Sequence, residues 1–166
     1  MYKPFPAQNF ENLERDLWFQ EMVEHIRPQA ESEPYVTDLV RTSELPPPAR
    51  ALYFLWMFYA EVGGNGIEYF LLEQQGHFTP QVHEALRLVG APEVLERLEA
   101  GIPHAVASDC AEFSTGPDLD WFRRFQPNAK YPTFQSVDED IYEWVEDDLL
   151  EKANAFIETW KDLLVA

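Results

Sequence analysis

The residues of this chain that could do chemistry are its carboxylates. Aspartate and glutamate number 30 against 12 lysines and arginines, giving a formal net charge of −18 at pH 7 and a pI of about 4.4. Ten of the acids and only two lysines fall in residues 131–166, a local net charge of −8. There Asp140, Glu143, Asp147 and Glu151 recur at i+3, i+4 and i+4, with Glu139 and Glu146 beside them. Asp148 lies nearer the apolar seam and Glu158 extends the exposed side. On a helix rising ~1.5 Å per residue, acids one turn apart stand about 5–6 Å apart along a ridge. Duplex DNA carries one phosphate per ~3.4 Å of axis on each strand, and the spacing is wider along the strand itself. Two ridges of carboxylates therefore approximate the charge spacing of a phosphate backbone. Like charges at i, i+4 cost a helix roughly 0.2–0.5 kcal/mol per pair. Such a face is expected either to meet something positive or to serve solubility alone. A secondary acidic face, Glu11, Glu14, Glu21 and Glu24, lies near the N-terminus.

Other chemistries find little support. His25, His77, His83 and His104 are scattered, and none sits in a metal-binding spacing such as HExxH. Glu21 and His25 stand at i, i+4, which permits a metal pair but reads more simply as a surface pair. Cys110 near His104 lacks a flanking motif and reads as a buried inert thiol. Gly63-Gly64-Asn65-Gly66 has no following lysine, follows a helix rather than a strand, and is flanked by Glu61 and Glu68, so it reads as a helix–helix turn and not a phosphate cradle. Asp118-x-Asp120 and Asp138-Glu139-Asp140 do not continue into a calcium loop with Gly at position 6 and Glu at 12. The expectation is a protein without catalysis, metal or cofactor. So acidic a chain is also disfavoured as a direct binder of nucleic acid or of an anionic membrane, both of which need basic surface.

The elements that must position the acids read as all-α. The stretch 46–90 is the nucleus: Pro46-Pro47-Pro48 opens a helix whose decamer Ala51–Ala60 is apolar all round and so must be buried. That helix is expected to stop at the glycine cluster from Gly63. A second helix from Ile67 closes at Gly76, and a third starts with Thr79 as N-cap and ends at Gly90. Upstream, 10–27 reads as an amphipathic helix striped by Phe10, Leu13, Leu17, Trp18, Met22 and Ile26 and limited by Pro28. Residues 28–45 read as a connector with one short helix near Tyr35–Val40. Downstream, a helix from Ala91-Pro92-Glu93 is expected to end at Gly101, and 101–137 carries little pattern. A long acidic C-terminal helix spans about 138–164, with Ile141, Val145, Leu149, Ala153, Phe156, Trp160 and Leu163 inward. The whole, 1–166, reads as a single compact multi-helix domain. No secretory segment or membrane span is read and one cysteine needs no oxidising compartment, so the cytoplasm is the expected location.

The central stretch carries a resemblance. Leu45-Pro46, Arg50-Ala51-Leu52-Tyr53, the run Phe58-Tyr59-Ala60-Glu61-Val62-Gly63-Gly64-Asn65-Gly66-Ile67-Glu68-Tyr69-Phe70, Gly76-His77-Phe78-Thr79 and Leu88-Val89-Gly90-Ala91 resemble a bacterial all-α family that includes a DNA mimic protein. The resemblance covers roughly 10–160. It implies a dimer whose acidic surface imitates duplex DNA and occupies the DNA-binding surface of a helix-turn-helix transcription factor, blocking its operator. The shared residues are central and apolar, so they speak for the fold; the acids that would act lie outside them. Surplus aromatics near Phe122, Phe125, Tyr131, Phe134, Tyr142 and Trp144 also suit a homodimer interface. Arg123-Arg124, in the least acidic segment, suits an interface or an internal salt bridge. The alternative is an acidic immunity-type module that neutralises a basic partner unconnected with DNA.

Overall fold

The structure, a computed structural model, describes residues 1–74, 76–108, 118–139 and 141–166, excepting the side chains of Glu73, Gln74 and Asp147. Its architecture is all-α with one small hairpin. In order come α1 (Ala7–Phe10), a 3-10 turn (Arg15–Leu17), α2 (Trp18–Ala30), β1 (Glu31–Glu33) paired antiparallel with β2 (Val36–Thr37), α3 (Leu39–Glu44) and α4 (Pro47–Tyr69). A π turn (Phe70–Gln74) and a 3-10 turn (Gly76–Phe78) lead to α5 (Thr79–Val89) and α6 (Pro92–Ala107). After 109–117, where Cys110 lies outside the described residues, come α7 (Leu119–Phe122), α8 (Phe134–Asp138), α9 (Ile141–Glu143), a second π turn (Trp144–Asp148), α10 (Leu149–Thr159) and α11 (Lys161–Leu164).

α4 is the axis of the core. Leu52, Tyr53, Phe54, Leu55 and Phe58 are all but inaccessible, and α2, α5, α8 and α9 pack around them. Phe58 meets Phe70 edge-on at 5.2 Å between ring centroids, a preferred aromatic geometry. Burying one such side chain contributes about 1.5–3 kcal/mol. The chain ends are knitted together: the Phe5 N–H donates to the Leu164 carbonyl at 2.8 Å and the Ala166 N–H to the Phe5 carbonyl at 2.9 Å.

Several sequence expectations give way to tertiary packing. α4 runs through Gly63, Gly64 and Asn65, and the chain breaks only at Gly66, with φ 86° and ψ 172°. α6 runs through Gly101 and Pro103 to Ala107, because its face carrying Leu98, Ile102 and Ala105 is buried. A Cβ at Gly101 would stand 3.0 Å from both Ile67 Cγ2 and Leu71 Cδ1, so the glycine marks a close helix crossing rather than an end. Thr79 is the first helical residue of α5, not its N-cap; its hydroxyl donates to the Gly76 carbonyl at 2.5 Å. Pro28 lies inside the last turn of α2, and the buried stripe there is Phe19, Met22, Val23, Ile26 and Ala30, with Leu17 exposed. The connector holds a hairpin: Pro34 precedes Tyr35, which takes a left-handed φ of 66° in the turn, and Asp38 then caps α3.

The C-terminal acids do not lie on one helix over 138–164. Asp138 closes α8, and Glu139 turns the chain with φ −57° and ψ 123°. The helical run over 141–159 contains the second π turn and stops at Trp160, with φ −105° and ψ 16°. That break rotates the last turn, so Trp160 and Leu163 are 40% and 51% exposed while Ile157 and Leu164 are buried in their place.

Candidate functional site

The acidic surface is best read by asking which carboxylates already have partners. Of the acids singled out in sequence, Asp148 is engaged: Lys152 Nζ lies 2.5 Å from its Oδ2 and 3.2 Å from Glu93 Oε2. Burial works against that ammonium, yet the two carboxylates outweigh it and hold the Lys152 pKa above its ordinary value. Glu24 is engaged too, 3.0 Å from Arg27 Nη1. Glu139, Glu143, Glu146, Glu151 and Glu158 are exposed and have no ion pair among the described residues. Glu11 and Glu14 are likewise exposed, and Glu21 is half-buried. Asp140 and the side chain of Asp147 lie outside the described residues.

The π turn alters the ridge drawn from the sequence. Its hydrogen bonds run from i to i+5, not i+4, so the regular α spacing assumed from Glu143 to Glu151 is interrupted across Trp144–Asp148. Glu146, within this turn, and Glu151, on α10, are both exposed. The 3-10 turn at Arg15–Leu17 packs on α10, and Asn154, buried on α10, accepts from the Phe19 N–H at 3.1 Å. The two acidic segments therefore belong to adjoining elements.

One acid that the sequence showed only as a flank of the glycine cluster joins this surface. Glu68, on the turn of α4 beyond Gly66, lines a polar concavity of about 650 Å³ together with Thr133, Gln135, Ser136, Asp138 and Glu139. Asp138 is half-buried at this concavity, and its carboxylate is already engaged. Its Oδ1 accepts from the Ile67 N–H at 2.6 Å, and the Glu68 N–H also reaches it. Burial pushes its pKa above the ordinary carboxylate value, against the lowering effect of those two N–H groups and of Arg97.

The remaining titratable groups serve local structure. His25 donates to the Lys3 carbonyl at 2.8 Å rather than pairing with Glu21, and His104 donates to the Tyr131 carbonyl at 2.9 Å. His83 meets Glu99 at 2.8 Å and the edges of Trp121 and Phe125. His77 is exposed against the ring of Phe78. Among the described residues no group of three or more His, Cys, Asp or Glu is placed to hold a metal ion. No described helix is long and apolar enough to cross a membrane.

The family model for DMP19-like proteins matches residues 43–160, and the chain belongs to that family. No curated protein and no solved structure matches it. The matched span includes α4 and most of the C-terminal acidic run, and membership is consistent with the DNA mimicry that the resemblance implies.

Proposed function

We propose that this protein is a DNA mimic: its unpaired surface carboxylates satisfy the lysines and arginines of a DNA-binding protein, which is thereby kept off its operator. The observation that carries the reading is the set of exposed glutamates without ion pairs among the described residues, Glu139, Glu143, Glu146, Glu151 and Glu158, joined by Glu68 at the polar concavity. The partner is a transcription factor of the helix-turn-helix kind, met in the cytoplasm, and the mechanism has no catalytic step. Affinity falls steeply with salt, as it does when the same cationic surface holds phosphates. The test is capture of partners on the tagged protein with elution by a salt gradient, followed by challenge with duplex DNA. A sequence-specific DNA-binding protein that elutes late and is displaced by its operator is the expected result. A basic partner indifferent to DNA would support the immunity-type module instead. The quadruple variant Glu143→Gln, Glu146→Gln, Glu151→Gln, Glu158→Gln is expected to lose the complex with helicity unchanged; undiminished binding would move the site elsewhere.

A homodimer belongs to the same reading, with its interface moved. The aromatics read from sequence as surplus are mostly absorbed within one chain, since Phe122 and Tyr131 are buried and Phe125, Phe134 and Trp144 pack against the core; Tyr142 is exposed. Arg123 and Arg124 are exposed and have no ion pair among the described residues. Better support for self-association comes from Leu39, Val40 and Leu88, which are 52%, 70% and 38% exposed. Leu39 and Leu88 flank a groove of about 520 Å³ floored by Ala51 and Phe54. The ion pairs Arg41–Asp38 and Arg87–Glu84 neutralise charge near this groove, leaving a face that two like-charged chains can bring together. Sedimentation analysis is expected to give a dimer for the wild type and a monomer for Val40→Glu; a dimer unaffected by that change places the contact elsewhere.

A further inference from the structure

We infer that Asp138 and Arg97 are positioning residues that lock the root of the acidic segment to the core, the Asp138 carboxylate being engaged by backbone rather than free like its exposed neighbours. The inference rests on the mimic reading only for what that placement is used for. Three observations carry it.

Gly66 breaks α4 with φ 86° and ψ 172°, a region open essentially to glycine alone. The helical turn restarting at Ile67 therefore begins with N–H groups that have no intrahelical partner. The Asp138 carboxylate supplies that partner from another element, taking the Ile67 N–H at 2.6 Å and the Glu68 N–H. It thus acts as an N-cap in trans, 71 residues away in sequence. The fit is close: a Cβ at Gly66 would stand 2.7 Å from Asp138 Oδ2.

The main chain on either side of Asp138 is held from a second helix. Arg97 Nη1 of α6 donates to the Val137 carbonyl at 2.8 Å and also to the Glu139 carbonyl. Among the described residues this guanidinium makes no ion pair with a carboxylate, although the chain holds 30 acids. Its charge is spent on two carbonyls, with its face over the Tyr131 ring at 5.4 Å. Thus α4 grips the side chain of 138 and α6 grips the backbone of 137 and 139. The next residue outward is Glu139, the first of the exposed acids. Surface carboxylates can match a cationic partner only if their root is fixed, and this clamp fixes it.

The experiment is amide hydrogen exchange and chemical-shift mapping by NMR on the full chain, comparing wild type with Asp138→Ala, Asp138→Asn and Arg97→Met. Asp138→Ala is expected to speed exchange at Ile67 and Glu68 at least tenfold and to shift the amides of 141–146, with α5 and α6 unchanged. Asp138→Asn keeps one acceptor oxygen, so it is expected to protect Ile67 and to expose Glu68. Arg97→Met is expected to move the same 141–146 amides while leaving Ile67 protected. Binding of a deca-lysine peptide, which counts charge and is indifferent to its arrangement, is expected to change less than twofold in every variant. Exposure of Ile67 with 141–146 unmoved would overturn the inference and leave Asp138 a local cap. Uniform loss of protection across α5 and α6 in both Asp138→Ala and Arg97→Met would overturn it equally, since the residues would then support only global stability. None of these readouts needs a transcription factor, so the clamp and the mimic reading can fail separately.

Discussion

At the scale of single residues, Gly66 and Asp138 form one unit whose two halves respond differently to substitution. Gly66→Ala places a methyl group against the Asp138 carboxylate and forces an alanine into a glycine-only backbone region. The expected cost is about 1–3 kcal/mol, read as a lowered midpoint in thermal or urea unfolding. Asp138 has a pH signature of opposite sense to that of a surface salt bridge. Its pKa in the fold is raised above the ordinary value, chiefly by burial. Between the ordinary and the raised value, the native state therefore binds more protons than the unfolded one, and stability falls as pH rises through that window. The stability of wild type relative to Asp138→Asn should accordingly increase as pH is lowered from neutrality toward the ordinary carboxylate range. Taking the difference cancels the other carboxylates. A difference that stays flat, or that shrinks on acidification, would mean that the backbone N–H groups outweigh burial at this site.

At the scale of elements, the acidic run over 141–159 is a helix that tolerates like charges because its other face is buried. Ile141, Val145, Leu149, Ala153, Phe156 and Ile157 anchor it, so charge repulsion is a minor debit. Removing part of that repulsion should show as a small gain. Glu146→Gln with Glu151→Gln is expected to stabilise by roughly 0.2–0.5 kcal/mol, a rise of about 0.4–2 °C in Tm for a chain of this size. A fall on calorimetry would reveal partners for these two carboxylates. The same element shows what was legible in the sequence. Its inward stripe and its net charge are local properties, and both could be read from spacing as far as Phe156. What escaped reading depends on remote contacts. Asp138 is spent on Ile67 and Asp148 shares Lys152 with Glu93, a residue 59 positions from that lysine. Likewise, Gly63 and Gly101 look like helix ends until the buried faces that carry the helices through them are known. The apolar decamer of α4 and the left-handed Gly90 cap of α5 needed no such knowledge: the helix and the cap lie where spacing put them, though the decamer is not buried all round, since Trp56 and Tyr59 are half-buried and Ala60 is exposed.

At the scale of the whole molecule, a charge of −18 on 166 residues makes salt act in two directions at once. Self-repulsion destabilises a compact chain of one charge sign, and the screening length falls from about 30 Å at 0.01 M salt to about 8 Å at 0.15 M. Local ion pairs such as Arg87–Glu84 and Lys130–Glu96 are exposed on both sides, and pairs of that kind contribute only about 0–1 kcal/mol each. Repulsion among the unpaired acids should therefore dominate, and the free protein should become more stable as salt is added. A rise of roughly 2–4 °C in Tm over that interval, the shift that about 1 kcal/mol produces at this size, is the expected calorimetric result. A complex with a cationic DNA-binding surface should weaken over the same interval, because salt screens the attraction that holds it. The two opposite slopes separate a surface kept acidic to meet a partner from one kept acidic for solubility, which predicts the first slope without the second. A Tm that fell with salt would instead show that the ion pairs, and not the unpaired carboxylates, govern the electrostatics of the fold.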